Sequence, residues 1–257
     1  KKGFNQDYNI SLSGGNDVLK SYFSLGAYDE QGTVKGYDYT RYTARLRAVY
    51  NPFKWLTVRP SISAGHRNVE DAQYSVTAMY SMLPWDSPYD EKGNLVPDRY
   101  QGWVNSQQTN YLNDLSYGNH TNYKAYDFLG NVDFDIKFTS WLTFRSTNSF
   151  QYTSYFYSSY ADPRSNGASG VNGRIDEFQS NSSRRYTNQL LNFKKQFGKH
   201  LVDALVAYEF KDYQRKVVTA TGTGFAPGFE VLDVAAIPEQ VGGSVIESAS
   251  QSFLFHD

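Results

Sequence analysis

Apolar and polar residues alternate along this chain in long runs. A period of two is the signature of a strand whose two faces meet different environments. Between Tyr39 and Tyr50, the residues Tyr42, Ala44, Leu46, Ala48 and Tyr50 share one face, and Arg41, Thr43, Arg45 and Arg47 share the other. From Lys124 to Phe138 the residues Tyr126, Phe128, Val132, Phe134 and Ile136 oppose Asp127, Asn131, Asp133, Asp135 and Lys137. From Trp55 to His66, Leu56, Val58, Ile62 and Ala64 stand against Thr57, Arg59, Ser61 and Ser63, with Pro60 weakening the run. Asn5 to Ser13, Val18 to Tyr28, Trp141 to Thr153, Arg184 to Gln196 and His200 to Tyr213 bring the predicted strands to eight. The last sets Val202, Ala204, Val206, Tyr208 and Phe210 against Asp203, Glu209 and Lys211. Arg184 to Gln196 alternates poorly, because Leu190-Leu191 puts an apolar residue on each face.

Several of these runs exceed the usual five or six residues of a globular strand and approach the ~9–11 that cross a bilayer at a tilt. Tyr39, Tyr50, Trp55, Phe138 and Trp141 gather near run ends, where an interfacial girdle uses amphipathic rings. A soluble sandwich with aromatic corners is the competing arrangement, but it has little use for Arg41, Arg45 and Arg47 along one strand face. Tight turns at 13–17, 51–54, 139–140 and 197–199 alternate with long connections at 29–38, 67–122, 154–183 and 214–250. Outer-membrane barrels show that asymmetry, with short periplasmic turns and longer extracellular loops. The predicted fold is therefore all-β: an antiparallel meander of about eight long strands forming an incomplete segment of a large transmembrane barrel. Trp55-Leu56-Thr57-Val58-Arg59 echoes Trp141-Leu142-Thr143-Phe144-Arg145, as two upgoing strands with Trp at the interface, Thr and Arg inward and the rest toward lipid.

Composition narrows the function. The 257 residues carry 25 basic and 26 acidic side chains, a net charge of −1, which offers no electrostatic footprint for nucleic acid. With no cysteine there is no disulfide framework, thiolate metal site or cysteine nucleophile. No stretch approaches the ~18 consecutive apolar residues of a membrane-spanning helix. Twenty-two Tyr and 17 Phe supply much of the hydrophobicity.

With short turns on the periplasmic side, an even strand count leaves both ends outside, the wrong parity for a self-contained barrel. Ser252 to Asp257 reads as a ninth strand cut short, so residues 1–257 are expected to be one partial barrel domain. The residues also carry a family resemblance. Asn9-Ile10-Ser11-Leu12-Ser13-Gly14-Gly15, Tyr22 to Tyr28, Gln31 to Lys35, Arg41 to Leu46 and Lys54-Trp55-Leu56 occur in an order that resembles SusC/RagA-type TonB-dependent transporters. Phe197-Gly198-Lys199-His200 with Leu205 to Glu209, and Glu247 to Ser252, resemble later parts of the same family. The family's plug domain, TonB box and most of its barrel have no counterpart in the sequence. The resemblance implies an outer-membrane importer of oligosaccharides, or of peptides in some members. It also implies energy from the TonB complex acting through the plug, and a SusD-like surface lipoprotein over the mouth. A small complete eight-stranded barrel for adhesion or anchoring, and a soluble β-sandwich binding module, are the alternatives.

No enzyme, cofactor or metal site is expected. His66, His120, His200 and His256 are scattered, Ser11 stands where a nucleophile elbow needs Gly, and Gly222-Thr223-Gly224 lacks the rest of a phosphate loop. Asp133 and Asp135 are expected to be solvated lumen carboxylates. Arg41, Arg45, Arg47, Arg59 and Arg145 are candidate lumen residues, which the resemblance would pair with the plug. The 67–122 segment is richest in recognition chemistry, since aromatic faces stack on sugar rings beside amides and carboxylates. Trp85, Tyr89, Trp103 and Tyr111 are its candidate contacts to substrate or partner.

Overall fold

The computed structural model describes residues 2–71, 73, 83–96, 110–165 and 167–256. Nine strands run in sequence order through one antiparallel sheet. They are β1 (Phe4–Gly15), β2 (Leu19–Gln31), β3 (Asp38–Phe53), β4 (Leu56–Asp71), β5 (His120–Lys137), β6 (Leu142–Ala161), β7 (Arg174–Phe197), β8 (His200–Thr223) and β9 (Ile237–His256). A one-and-a-half-turn helix, α1 (Tyr111–Ser116), lies between β4 and β5. Among the described residues β1 and β9 each pair with one neighbour, so the sheet is an open meander.

Directly opposed residues of an antiparallel pair share a face, so the registers carry the alternation of each strand across the sheet. Leu12, Phe23, Leu46, Ile62, Gly130 and Phe150 form one row. Ile10, Leu25, Ala44, Ala64, Phe128 and Tyr152 form the next toward the long loops, and Tyr8, Ala27, Tyr42, His66 and Tyr126 the one after. We call this the outer face. Among the described residues no protein layer covers it: Leu12 is 67% exposed, Leu46 44% and Val206 37%. The buried apolar cluster lies elsewhere, at the long-loop end, where Tyr160, Ile175 and Phe225 pack with Leu232 and Ala235. An apolar sheet face of this extent is stable only against hydrocarbon or another protein. On β8 it runs through Val202, Ala204, Val206, Tyr208 and Phe210, then turns polar at Asp212, which pairs with Arg185 of β7 at 2.5 Å. That change comes about ten residues above the short turn, the length of one tilted crossing.

The structure amends the sequence reading in three places. The sheet has nine strands rather than about eight, because the expected stump at the end belongs to β9, paired with β8 from Thr223↔Ile237 to Leu205↔His256. The connections expected at 154–183 and 214–250 shrink to 162–173 and 224–236, since β6, β7 and β8 continue well past their apolar stretches. In those extensions polar residues stand on both faces, so Gln179, Asn181 and Ser183 sit on the outer face without an alternation to reveal them. The sandwich alternative fails because the described residues form one sheet, not two packed together. Pro60 is accommodated because the β3–β4 ladder skips it between Arg47↔Ser61 and Tyr50↔Val58, so its missing N–H breaks no pair there. At the β7–β8 turn Gly198 takes φ +59° as the first central residue of a two-residue loop, which a side chain would strain.

Three outer-face rings form a shelf. His66 stacks at 4.5 Å on Tyr126 and at 6.4 Å on Tyr42, and its shielded Nδ1 has no hydrogen-bond partner. Phenylalanine would keep the stack and remove the orphan, so His66→Phe should raise stability by about 1 kcal/mol, read from unfolding in lipid vesicles.

Candidate functional site

The inner face carries the charged residues. Asp135 on β5 lies across from Arg145 on β6 and diagonal to Arg59 on β4. Arg59 Nη2 donates to Asp135 Oδ2 at 2.6 Å, and Arg145 Nε donates to Oδ1 at 2.8 Å, so one carboxylate joins three strands near the short-turn end. Asp133, register partner of Arg59, stays outside this triad, and its shielded Oδ1 has no hydrogen-bond partner. On β3, Arg41 lies 5.5 Å from the centre of the Tyr28 ring. Arg45 and Arg47 are exposed and have no ion-pair partner among the described residues. Arg41, Arg45, Arg67, Asp127 and Gln151 border a recess of about 270 Å³ on this face. Farther along, Lys194–Asp203 and Glu209–Lys211 pair at 2.7 Å each, with Tyr186 donating to Glu209.

Of the expected lumen residues, all seven therefore share the inner face. Arg59, Asp135 and Arg145 are self-satisfied; Arg45 and Arg47 offer uncompensated positive charge to whatever fills the space beside the sheet. That contrast follows from register: an arginine opposite Ser63 or Ser61 meets hydroxyls, whereas one opposite or diagonal to Asp135 meets its counter-ion.

At the long-loop end a different centre emerges, one the sequence reading missed. Asp162, just past β6, is fully buried. Its carboxylate accepts from the Tyr160 hydroxyl (3.0 Å), from Arg164 Nε and Nη2 (2.8 and 2.9 Å), and from the backbone N–H groups of Arg164 (2.9 Å) and Gly228 (3.3 Å). Its own N–H donates to Asn119 Oδ1 at 2.8 Å, and Ser165 Oγ donates to its carbonyl at 2.6 Å. One side chain thus ties the 162–173 connection to the 224–236 connection, above the Tyr160–Ile175–Phe225 cluster. Burial alone would push this carboxyl up, but the Arg164 contacts and the Tyr160 hydroxyl outweigh it and hold the pKa at about 2. The sequence signal was Asp-Pro-Arg-Ser, a turn opener. The long-range partners Phe225 and Gly228 left no local trace.

The loop aromatics separate. Trp85 and Tyr89 are exposed, and Tyr89 bridges Leu95 across a turn in which Asp90 accepts from the Lys92 and Asn94 amides. Tyr111, on α1, lines a cavity of about 260 Å³ with Gln73, Asp114, Asn119, Arg174 and Asp176, apart from Trp85 and Tyr89. Trp103 lies outside the described residues.

No protein-family model matches the sequence, and no curated protein matches it significantly. Solved structures do. The RagAB peptide importer in its closed-closed state superposes with a TM-score of 0.77 at 22% identity, over 96% of this chain and 29% of that one. Its open-open state gives 0.76 at 22%, covering 96% and 28%, and a further structure of the RagAB peptide transporter gives 0.75 at 21%, covering 97% and 29%. The outward apolar rows, the inward charges and these superpositions together give the chain the fold of a SusC/RagA-type barrel segment, spanning under a third of the chain it matches.

Proposed function

We propose that this chain forms part of the barrel wall of an outer-membrane, TonB-dependent importer. Its cargo on this reading is an oligosaccharide or a peptide. The observation that carries the proposal is the segregation of the two faces across β2 to β5: a bilayer's depth of apolar side chains outward, and arginines and carboxylates inward. Lipid would be the solvent on one side and a hydrated, plug-filled lumen on the other. RagAB is a peptide importer, and the likeness in fold supports import of an oligomeric solute here. The inner face performs no covalent step in this scheme. Arg45 and Arg47 would hold carboxylates of a plug until the TonB complex pulls it, while the Arg59–Asp135–Arg145 triad keeps the wall rigid. A SusD-like lipoprotein would cover the mouth, facing the loops that carry Trp85, Tyr89, Trp103 and Tyr111.

Reversing both charges, Arg45→Glu with Arg47→Glu, should loosen the plug and make cells carrying the transporter more permeable to large antibiotics. Each lost charge-assisted contact is worth about 1.5–3 kcal/mol, so the minimum inhibitory concentration should fall severalfold. Unchanged permeability would remove these two arginines from the plug contact. Loss of cargo uptake when TonB is deleted tests the energy source separately.

A further inference from the structure

On the inner face two arginines stand directly opposite each other. Arg41 of β3 and Arg67 of β4 are a register pair, in a row that reads Tyr28, Arg41, Arg67, Ala125, Tyr155 across five strands. Like charges directly opposed on one face of a ladder destabilise it, their Cβ atoms being only ~4.5–5.5 Å apart. Both side chains are exposed, and neither has an ion-pair partner among the described residues; Arg41 lies against the Tyr28 ring instead. An anion between the two guanidinium groups relieves the repulsion, and their planar forks match an acceptor with two oxygens. The next row toward the short turns supplies the room. It reads Thr43, Gly65, Asp127, and a Cβ built on Gly65 would come no nearer than 3.9 Å to any residue beyond its chain neighbours. That open floor is the recess of about 270 Å³, with Tyr39 at its long-loop edge and Arg45 at the other. Three arginines border it against one carboxylate, Asp127, which accepts from the Thr153 hydroxyl. Beyond Tyr39 the aromatic wall continues along the long-loop side, with the Tyr123 ring 5.2 Å from Tyr157 and Tyr155 5.9 Å from Phe178.

We propose that this recess is a cargo subsite for a sugar ring carrying a carboxylate, with Arg41 and Arg67 holding the carboxylate and Tyr39 lying against the ring. The inference rests on the importer reading above and narrows its cargo to acidic oligosaccharides. Two features favour a sugar over an acidic peptide. Around the recess β2 to β5 are each paired on both sides, so no backbone edge is open to receive a peptide strand. Beside the arginines stand the hydroxyls of Thr43 and Ser63 and the amide of Gln151, which suit the hydroxyls of a sugar, while an aromatic face suits its C–H groups.

Calorimetric titration of the full-length transporter in detergent tests it, with tetragalacturonate and tetramannuronate as probes. Reducing the probe's carboxylates to alcohols, which keeps the rings and removes the charge, should weaken binding by about tenfold or more. Arg41→Gln with Arg67→Gln should weaken binding of the acidic probes by a similar factor and leave the reduced ones unchanged. The same double variant, relieved of two opposed charges, should melt no lower than the wild type when ligand-free. Gly65→Leu keeps both arginines and fills the recess, so it should also abolish binding, and it serves if the double variant misfolds. Lys124→Gln removes a positive charge at nearly the same height on the outer face and should change nothing. Absence of binding to either acidic probe would overturn the subsite, as would tighter binding of tetraglutamate, which would assign the recess to a peptide. Unchanged binding in the double variant together with raised permeability to large antibiotics would give these arginines to the plug and overturn it too. Binding of the acidic probes without their TonB-dependent uptake by cells would remove the importer reading and leave the subsite standing.

Discussion

Replacing Asp162 by alanine is expected to free the 224–236 connection from the rest of the long-loop end while leaving the sheet intact. The substitution leaves the buried Tyr160 hydroxyl without its acceptor, leaves the Gly228 amide only the Tyr160 oxygen at 3.2 Å, and takes the counter-ion from Arg164. Breaking a buried pair from one side costs about 3 kcal/mol, somewhat less here because the Arg164 side chain is half exposed and can rehydrate. Amide exchange should speed up at Phe225 and Gly228, whose partners are Asn172 and the Asp162–Tyr160 pair, and stay slow in the β7–β8 ladder. Acid should mimic the mutation. The folded-state pKa of about 2 lies below the ordinary carboxylate value, so the clamp contributes fully above about pH 4 and is lost as pH falls through 2. The contribution at neutral pH is on the order of 2–3 kcal/mol. Unchanged exchange at pH 2.5, or in the alanine variant, would mean that the Phe225 cluster alone holds these loops.

A charge placed on the outer face should be costly. Val206→Arg or Leu46→Arg is expected to destabilise the protein by about 2–4 kcal/mol in lipid, the cost of arginine near the bilayer midplane of a β-barrel. Arginine at Ser149, which faces inward opposite Asn131 and Tyr186, should cost under about 1 kcal/mol because the lumen is hydrated. Denaturant titration from phospholipid vesicles reads the difference. Equal costs on both faces would mean that neither meets hydrocarbon.

How much of this was legible in the sequence depends on where two environments differ. Within the apolar band most strands write their address in alternation, so Leu46, Val132 and Val206 were assigned to one flank and Arg45, Asp133 and Arg145 to the other, as the registers now place them; β7 does not, with Thr187 and Gln189 outward and Leu190 inward. Above the band polar residues stand on both faces. The upper halves of β7 and β8 then carry residues such as Asn181, Ser182, Gln214 and Arg215, which read as loop although they are strand. The Arg59–Asp135–Arg145 triad needed register, which alternation within one strand does not supply. Asp162 needed more still. Its turn was readable from Asp-Pro, but the Gly228 amide 66 residues on is brought to it only by the folded ladder of β7 and β8. Among the loop aromatics, composition grouped Tyr111 with Trp85 and Tyr89 as contact candidates, whereas Tyr111 lines a cavity to which the other two do not contribute.

The most direct measurement uses the absence of native cysteine, which lets a single introduced thiol carry a nitroxide at any chosen position. With the protein in lipid vesicles, labels at 46, 132 and 206 should collide with oxygen, which concentrates in hydrocarbon, and be shielded from a water-soluble nickel chelate. Labels at 45, 47 and 133 should show the opposite preference. If the first three were shielded from both probes, the Leu46 flank would lie inside a protein core, and the barrel-wall account would be contradicted.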